Sequence, residues 1–230
     1  MSILAVTGLK REARILAGPG VRVIAGGGDG ARLARALDEA APGAAGIISI
    51  GLGGALAAGL KPGDWVVASG IIAPEGRIAV DAGWTARLAG VLQATGPGGV
   101  VGSDVMVVDA AAKQALHRAS GALAVDMESH IAARAASRHG LPFACARVIS
   151  DGADRALPRA AQAGMRPDGG MDVLAVLAAL ARHPGELPAL IRTALEAQTA
   201  FRALFRGRQL LGGALQALGP DLGELLVDVG

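Results

Sequence analysis

The stretch G-A-L-A-V-D-M-E-S-H-I-A-A-R-A-A-S-R-H-G-L-P-F-A-C-A-R-V-I-S-D-G-A-D, Gly121 to Asp154, decides the fold class. Ala122–Met127 is a short apolar run and reads as a buried strand. Ser129–His139 is built of Ala and Arg at helical period. Phe143–Ile149 is a second apolar run, closed by the loop S-D-G-A-D. Strand, helix and strand in so short a span are the repeating unit of an α/β fold.

The same alternation extends outward. Ser2–Thr7, Val21–Ala25, Gly46–Ile50, Asp64–Gly70 and Val100–Val108 read as strands, the fourth entered through the turn K-P-G-D. Glu12–Leu16, Ala31–Ala40, Ala110–Ala119 and Val173–Ala181 read as helices. Apolar strands that alternate with helices predict an α/β sandwich around a largely parallel or mixed sheet. No linker and no fixed-period repeat divides the chain, although the tail from about His183 differs in character.

Composition narrows the function. Of 230 residues, 52% are apolar, enough for a large core. Aromatics are 2% and tyrosine is absent, which argues against a base-stacking platform for single strands. The formal net charge of +2 gives no support to nucleic-acid binding. A lone cysteine, Cys145, permits no internal disulfide and fits a reducing cytosol. The N-terminal run M-S-I-L-A-V-T-G-L-K-R-E lacks a charged region ahead of an apolar core, so it does not read as a secretory signal. No apolar run reaches the roughly 18–20 residues that span a bilayer. These features predict a cytoplasmic protein.

Three clusters carry candidate chemistry. In V-D-M-E, a strand ending at Met127 would send Asp126 and Glu128 to the same side, at the end where open α/β sheets place ligands. The alternative is that both acids cap the next helix. In R-V-I-S-D-G-A-D, Asp151 lies just past a strand, where burial would favour a proton-carrying acid; a plain Asp-Gly turn is the alternative. In G-L-K-R-E-A-R, Glu12 has Lys10, Arg11 and Arg14 as neighbours, or is simply part of a solvated first turn. The run G-G-G-D-G-A, Gly26–Ala31, matches a dinucleotide fingerprint, but the next strand ends in Gly51-Leu52-Gly53-Gly54, not in an acid for a ribose. No organic cofactor is therefore expected. The four histidines have no metal-ligand spacing with Cys145, so no metal is expected either.

In order and spacing these pieces resemble the nucleoside phosphorylase / methylthioadenosine nucleosidase superfamily. The residues that carry the resemblance are Glu12 behind the first strand, G-L-G-G-A-L-A-A-G-L-K-P-G-D, A-V-D-M-E-S and R-V-I-S-D-G-A-D. It covers residues 1–182 as a nucleoside phosphorylase-like domain, with 183–230 as a C-terminal helical extension. It implies a three-layer α/β sandwich with a central mixed sheet. It also implies roles. Asp151 hydrogen-bonds and protonates purine N7, supported by Ser150. Glu12 activates the attacking water. Glu128 holds the ribose hydroxyls, with Met127 against the sugar and Met106 where relatives carry an aromatic on the base. Gly51 and Leu52 belong to the substrate-binding set, and Leu52 stands where many relatives have serine, which weakens polar contacts to the nucleophile. Asp126 is structural, a partner for Arg147. The resemblance further implies a homo-oligomer, at least a homodimer.

The segment Glu186–Leu211 is amphipathic. Leu187, Leu190, Ile191, Ala194, Leu195, Phe201, Leu204 and Phe205 keep helical spacing, and Arg192, Arg202, Arg206 and Arg208 add positive charge. Such a helix lies on an anionic membrane surface or packs on protein. This tail, the short N-terminal half and Leu52 resemble the hopanoid-associated branch of the superfamily. That branch implies release of adenine from adenosylhopane, a lipid substrate, and a place at the inner membrane. Two alternatives stay open. One is a phosphorylase with phosphate as co-substrate, bound at Lys10, Arg11 and Arg14. The other is a non-catalytic nucleoside- or lipid-binding protein.

Overall fold

The computed structural model describes residues 2–95, 97–164, 166 and 168–212. β1 (Ser2–Thr7), α1 (Lys10–Leu16), β2 (Val21–Ala25), α2 (Gly30–Ala40) and β3 (Ala44–Ala55) lead into the hairpin β4 (Trp65–Ala73) and β5 (Gly76–Ile78). Then come α3 (Ala82–Leu92), β6 (Pro97–Gly102), α4 (Ala110–Ser120), β7 (Ala124–Asp126), α5 (Ser129–His139) and β8 (Phe143–Asp151). Three further helices follow: α6 (Arg159–Ala163), α7 (Val173–Arg182) and, past a tight turn at Pro184–Glu186, α8 (Leu187–Leu210).

The strands form one mixed sheet in the order β2-β1-β3-β7-β6-β4-β5, with β8 paired to both β3 and β4. β3, β7, β6, β4 and β8 therefore close a ring of hydrogen-bonded neighbours. The long strand β3 makes this possible. Its first half pairs with β1, and its glycine-rich second half pairs with β7, with a register shift between Gly53 and Gly54. A bulge among glycines lets a strand bend and change partners.

Both faces of the sheet are covered. Leu4 and Val6 of β1 face one way, with Leu33 and Leu37 of α2 and Ile131 and Ala135 of α5. Ile3 and Ala5 face the other, with Leu16 of α1, Trp84 and Leu88 of α3, and Leu204 of α8. This alternation on a doubly buried strand explains the near-continuous apolar runs. The expected three-layer α/β fold is the fold observed.

Two local expectations are corrected. The strand read over Val100–Val108 stops at Gly102. A Cβ there would lie 2.4 Å from the Cβ of His130. Beyond it the Ser103 hydroxyl donates to the Val105 carbonyl at 2.7 Å and turns the chain. β7 likewise ends at Asp126, so Asp126 and Glu128 do not share one strand face; Glu128 is the N-cap of α5.

The amphipathic tail has two faces. Ala200, Phe201, Leu204 and Gly207 of α8 are buried. Gly207 sits so close to Trp65 that a Cβ would lie 2.4 Å from its ring, and the Arg11 guanidinium stacks 4.0 Å from the Phe201 ring centroid. Leu187, Ile191 and Leu195 are exposed on the opposite side, while Phe205 is exposed next to Phe201 and Arg11. Residues 213–230 lie outside the described residues.

Candidate active site

Three carboxyl groups lie against glycines at strand ends: Glu12 and Asp151 at the glycine-rich end of β3, and Glu128 at Gly8, just past β1. Each comes from a different element. A Cβ on Gly51 would lie 2.9 Å from Glu12 Oε1, one on Gly8 would lie 2.9 Å from Glu128 Oε1, and one on Gly54 would lie 3.4 Å from Asp151 Oδ2. The glycines of G-L-G-G and of T-G-L thus make room for acids. Any side chain at Gly8 or Gly51 would collide with one.

Glu12 stands in the first turn of α1 and is 1% exposed. Its Oε2 accepts the amide of Leu9 at 2.6 Å, half of a capping box, since the leucine side chain has nothing to return. Its Oε1 accepts the amide of Leu52 at 2.6 Å, which ties α1 to β3. Burial pushes its pKa up, against the pull of these two amides and the charge of Arg147. A carboxylate with a raised pKa and one fixed orientation is a stronger base than a free one.

Glu128 projects from the N-terminus of α5 toward Gly8 and Gly26. Burial, with the Asp126 charge added, pushes its pKa to about 8. A carboxyl held protonated in this way can donate as well as accept a hydrogen bond.

Asp126 is bound below it. Its Oδ1 accepts the amides of Glu128 at 3.1 Å and Ser129 at 2.9 Å, and the Ser129 hydroxyl at 2.7 Å. Its Oδ2 meets Arg147 Nε, while Arg147 Nη2 donates to the Ser49 hydroxyl at 2.5 Å. The helix-capping role is thus realised by Asp126, and its pairing with Arg147 is observed. Ser49 and the centrality of Arg147 escaped sequence reading.

Asp151 ends β8, opposite Gly54 of β3. The Ser150 hydroxyl donates to its Oδ1 at 2.6 Å and also lies 3.2 Å from the carbonyl of Gly53. Its Oδ2 pairs with Lys113 Nζ, from α4. No sequence signal pointed to Lys113, because a lysine in D-A-A-A-K-Q-A reads as a solvated helix face.

The remaining expected residues fall around this centre. Met127 lines a small recess with Gly27, Gly28, Asp29, Gly30, Leu33, Asp104 and Ile131. Met106 is half-buried in the loop after β6. Lys10 pairs with Asp168 at 2.7 Å and Arg11 stacks on Phe201, so two of the three cations near Glu12 are engaged with protein.

The chain belongs to the phosphorylase superfamily, whose match covers residues 9–182. The expectation of an enzyme on a nucleoside phosphorylase-like fold stands with it. No curated protein matches the sequence. Among solved structures, the chain is similar to the 5'-methylthioadenosine/S-adenosylhomocysteine nucleosidase of Streptococcus pneumoniae bound to a transition-state inhibitor. That comparison has TM-score 0.65 and 18% identity, over 95% of this chain and 100% of that one. The same activity from Colwellia psychrerythraea, in complex with adenine, gives TM-score 0.62 and 17% identity, over 78% and 96%. The futalosine hydrolase of Helicobacter pylori gives 0.60 and 18%, over 91% and 97%. At these identities the likeness establishes the fold.

Proposed function

We propose that this member of the phosphorylase superfamily hydrolyses the N-glycosidic bond of a 5′-substituted adenosine and releases adenine. The observation that carries the reading is the convergence of Glu12, Glu128 and Asp151 on Gly51, Gly8 and Gly54. Breaking the C1′–N9 bond puts positive charge on the ribose and negative charge on the base. Asp151 protonates N7 so that adenine leaves neutral. Glu12, made more basic by burial, takes a proton from the water that attacks C1′. Glu128 hydrogen-bonds the ribose hydroxyls, with Met127 against the sugar. Gly51 and Leu52 keep the Glu12 carboxylate in place, and Met106 faces the base. Water is favoured over phosphate because Lys10 and Arg11 are already engaged by Asp168 and Phe201.

The 5′ substituent in this reading is a lipid, as in adenosylhopane, and the enzyme works as an oligomer in the cytoplasm at the inner membrane surface. The support is the exposed apolar residues of the C-terminal helices. Leu174 and Leu177 of α7 and Leu187, Ile191 and Leu195 of α8 are all more than 40% exposed, beside exposed Arg192, Arg202 and Arg206. Exposed apolar and basic residues of this kind suit an anionic lipid surface.

The test is adenine release from adenosylhopane, methylthioadenosine and adenosine, with and without phosphate, with mass analysis of the sugar. Free ribosyl product without phosphate supports hydrolysis. A strict phosphate requirement with a sugar 1-phosphate replaces the water step. Cleavage of the small nucleosides alone removes the lipid.

A further inference from the structure

Lys113 is the buried residue of α4, and none of its surface is exposed. A helix that anchors itself through its lysine is unusual, because an ammonium leaves water only at a cost of several kcal/mol unless it is fully paired. Here it is. Besides Asp151 Oδ2, its Nζ donates to the carbonyls of Gly152 at 3.0 Å and Arg155 at 2.9 Å. Three N–H bonds meet three acceptors. The two carbonyls would suffice to hold the loop after β8. The contact with Asp151 is the one that reaches the candidate acid.

The protonation of the base poses a problem that this contact answers. A carboxylate paired with an ammonium has no proton of its own to give. Among the described residues, the proton donors on the two oxygens of Asp151 are Lys113 and Ser150. A serine hydroxyl is far too weak an acid to be the source; an ammonium is not.

Resting on the nucleosidase reading above, we propose that Lys113 is the positioning residue for Asp151 and the source of the proton that Asp151 passes to the leaving purine. An N–H bond of the ammonium breaks as an O–H bond forms on Asp151. That O–H breaks as N7–H forms, while the C1′–N9 electron pair moves onto the purine. Neutral adenine leaves, Lys113 is left as an amine beside a carboxylate, and water returns the proton through Asp151 once the base has gone. The net charge of the Lys113–Asp151 pair changes only with the proton that departs on adenine.

The test compares two leaving groups on the full chain. One is the adenine nucleoside the wild type cleaves fastest. The other is p-nitrophenyl β-D-riboside, whose leaving group needs no proton. Lys113→Met is expected to lose about 100-fold in kcat on the nucleoside, the scale of general acid catalysis, and less than about threefold on the riboside. Lys113→Gln keeps amide donors for the loop carbonyls but no transferable proton, and is expected to show the same split; it also serves if the methionine variant does not fold. In an Asp151→Asn background, Lys113→Met is expected to add less than about twofold, because the two act as one unit. Melting temperatures establish that each variant is folded. Equal losses on both substrates, or full nucleoside turnover by Lys113→Gln, would make Lys113 a structural anchor and overturn the proposal. A wild type that cleaves neither substrate would overturn the nucleosidase reading with it. A wild type whose activity falls in Asp151→Asn but not in Lys113→Met would overturn the role of Lys113 alone.

Discussion

Arg147 and Asp126 form an ion pair in which each side chain is only 1% exposed. The pair joins β8 to the N-terminus of α5, whose N-cap is Glu128. Asp126 thereby does three things at once: it neutralises Arg147, caps α5 and fixes the backbone from which Glu128 projects.

Breaking this pair from one side leaves an uncompensated buried charge. Arg147→Met is expected to cost about 3–5 kcal/mol of folding stability, measured by urea denaturation. Pairing it with Asp126→Asn removes the orphaned charge and retains an acceptor for the α5 amides, so the double variant is expected to recover part of the loss. A single variant as stable as wild type would show that the pair contributes little.

Glu12 receives two backbone amides, one on each oxygen. Glu12→Gln must turn an NH2 group toward one of them, donor against donor. The expected result is a stability loss of about 1–3 kcal/mol together with a fall in turnover of at least roughly 100-fold. Glu12→Asp keeps the charge but shortens the reach, and is expected to retain more turnover than the glutamine variant. Adenine release and thermal melting read both effects. Turnover by Glu12→Gln within a few-fold of wild type would remove Glu12 as the base.

Glu128 sets a pH dependence with a definite sign. Its pKa rises from an ordinary 4.5 to about 8 on folding. Between these values the folded chain keeps a proton that the unfolded chain releases, so stability falls as pH rises through the window and levels off above about 8. Glu12, raised in the same direction, adds to the fall. Glu128→Gln carries no such penalty. Its melting temperature relative to wild type is expected to climb between pH 5 and pH 8.5, by roughly 5–10 °C. A gap that stays constant with pH would mean that Glu128 is ionised in the folded protein.

Much of this arrangement was legible in the sequence, and the reasons are local. β8 and α5 announce themselves because one is a continuous apolar run and the other has helical period, and both ends of α5 were read correctly. α3 went unread because Gly83 and Gly90 weaken its pattern, although Asp81 accepting the amide of Trp84, with Trp84, Leu88 and Leu92 buried at four-residue steps, is a readable signal. Glu12 and Glu128 were found because each follows a strand; Asp151, read as lying just past one, is the last residue of β8, because β8 stays paired with β3 through to Gly54. Lys113 was not found, because its partners Asp151, Gly152 and Arg155 are 38 to 42 residues away in the chain. The closure of the sheet ring was equally hidden, since strand pairing is a long-range choice that periodicity does not encode.

The tail yields the last prediction. α8 packs through Ala200, Phe201, Leu204 and Gly207, which leaves Leu187, Ile191 and Leu195 on a separate, solvent-facing stripe. Leucine-like side chains at i, i+4 and i+8 form one line along a helix. Arg192, Arg202 and Arg206 are exposed on the same helix, each worth about 1 kcal/mol at an anionic surface. Vesicles rich in phosphatidylglycerol are therefore expected to sediment the protein, and phosphatidylcholine vesicles much less. Raising salt should weaken the association, because the arginine contribution is screened within a Debye length. The triple change Leu187→Gln, Ile191→Gln and Leu195→Gln is expected to abolish sedimentation while leaving cleavage of a small nucleoside within about twofold, since the stripe is exposed and separate from the side of α8 that packs on the domain. If the triple change instead lowers the oligomeric mass with no difference between vesicle types, the stripe is a protein interface, and the lipid reading of the substrate loses its surface support.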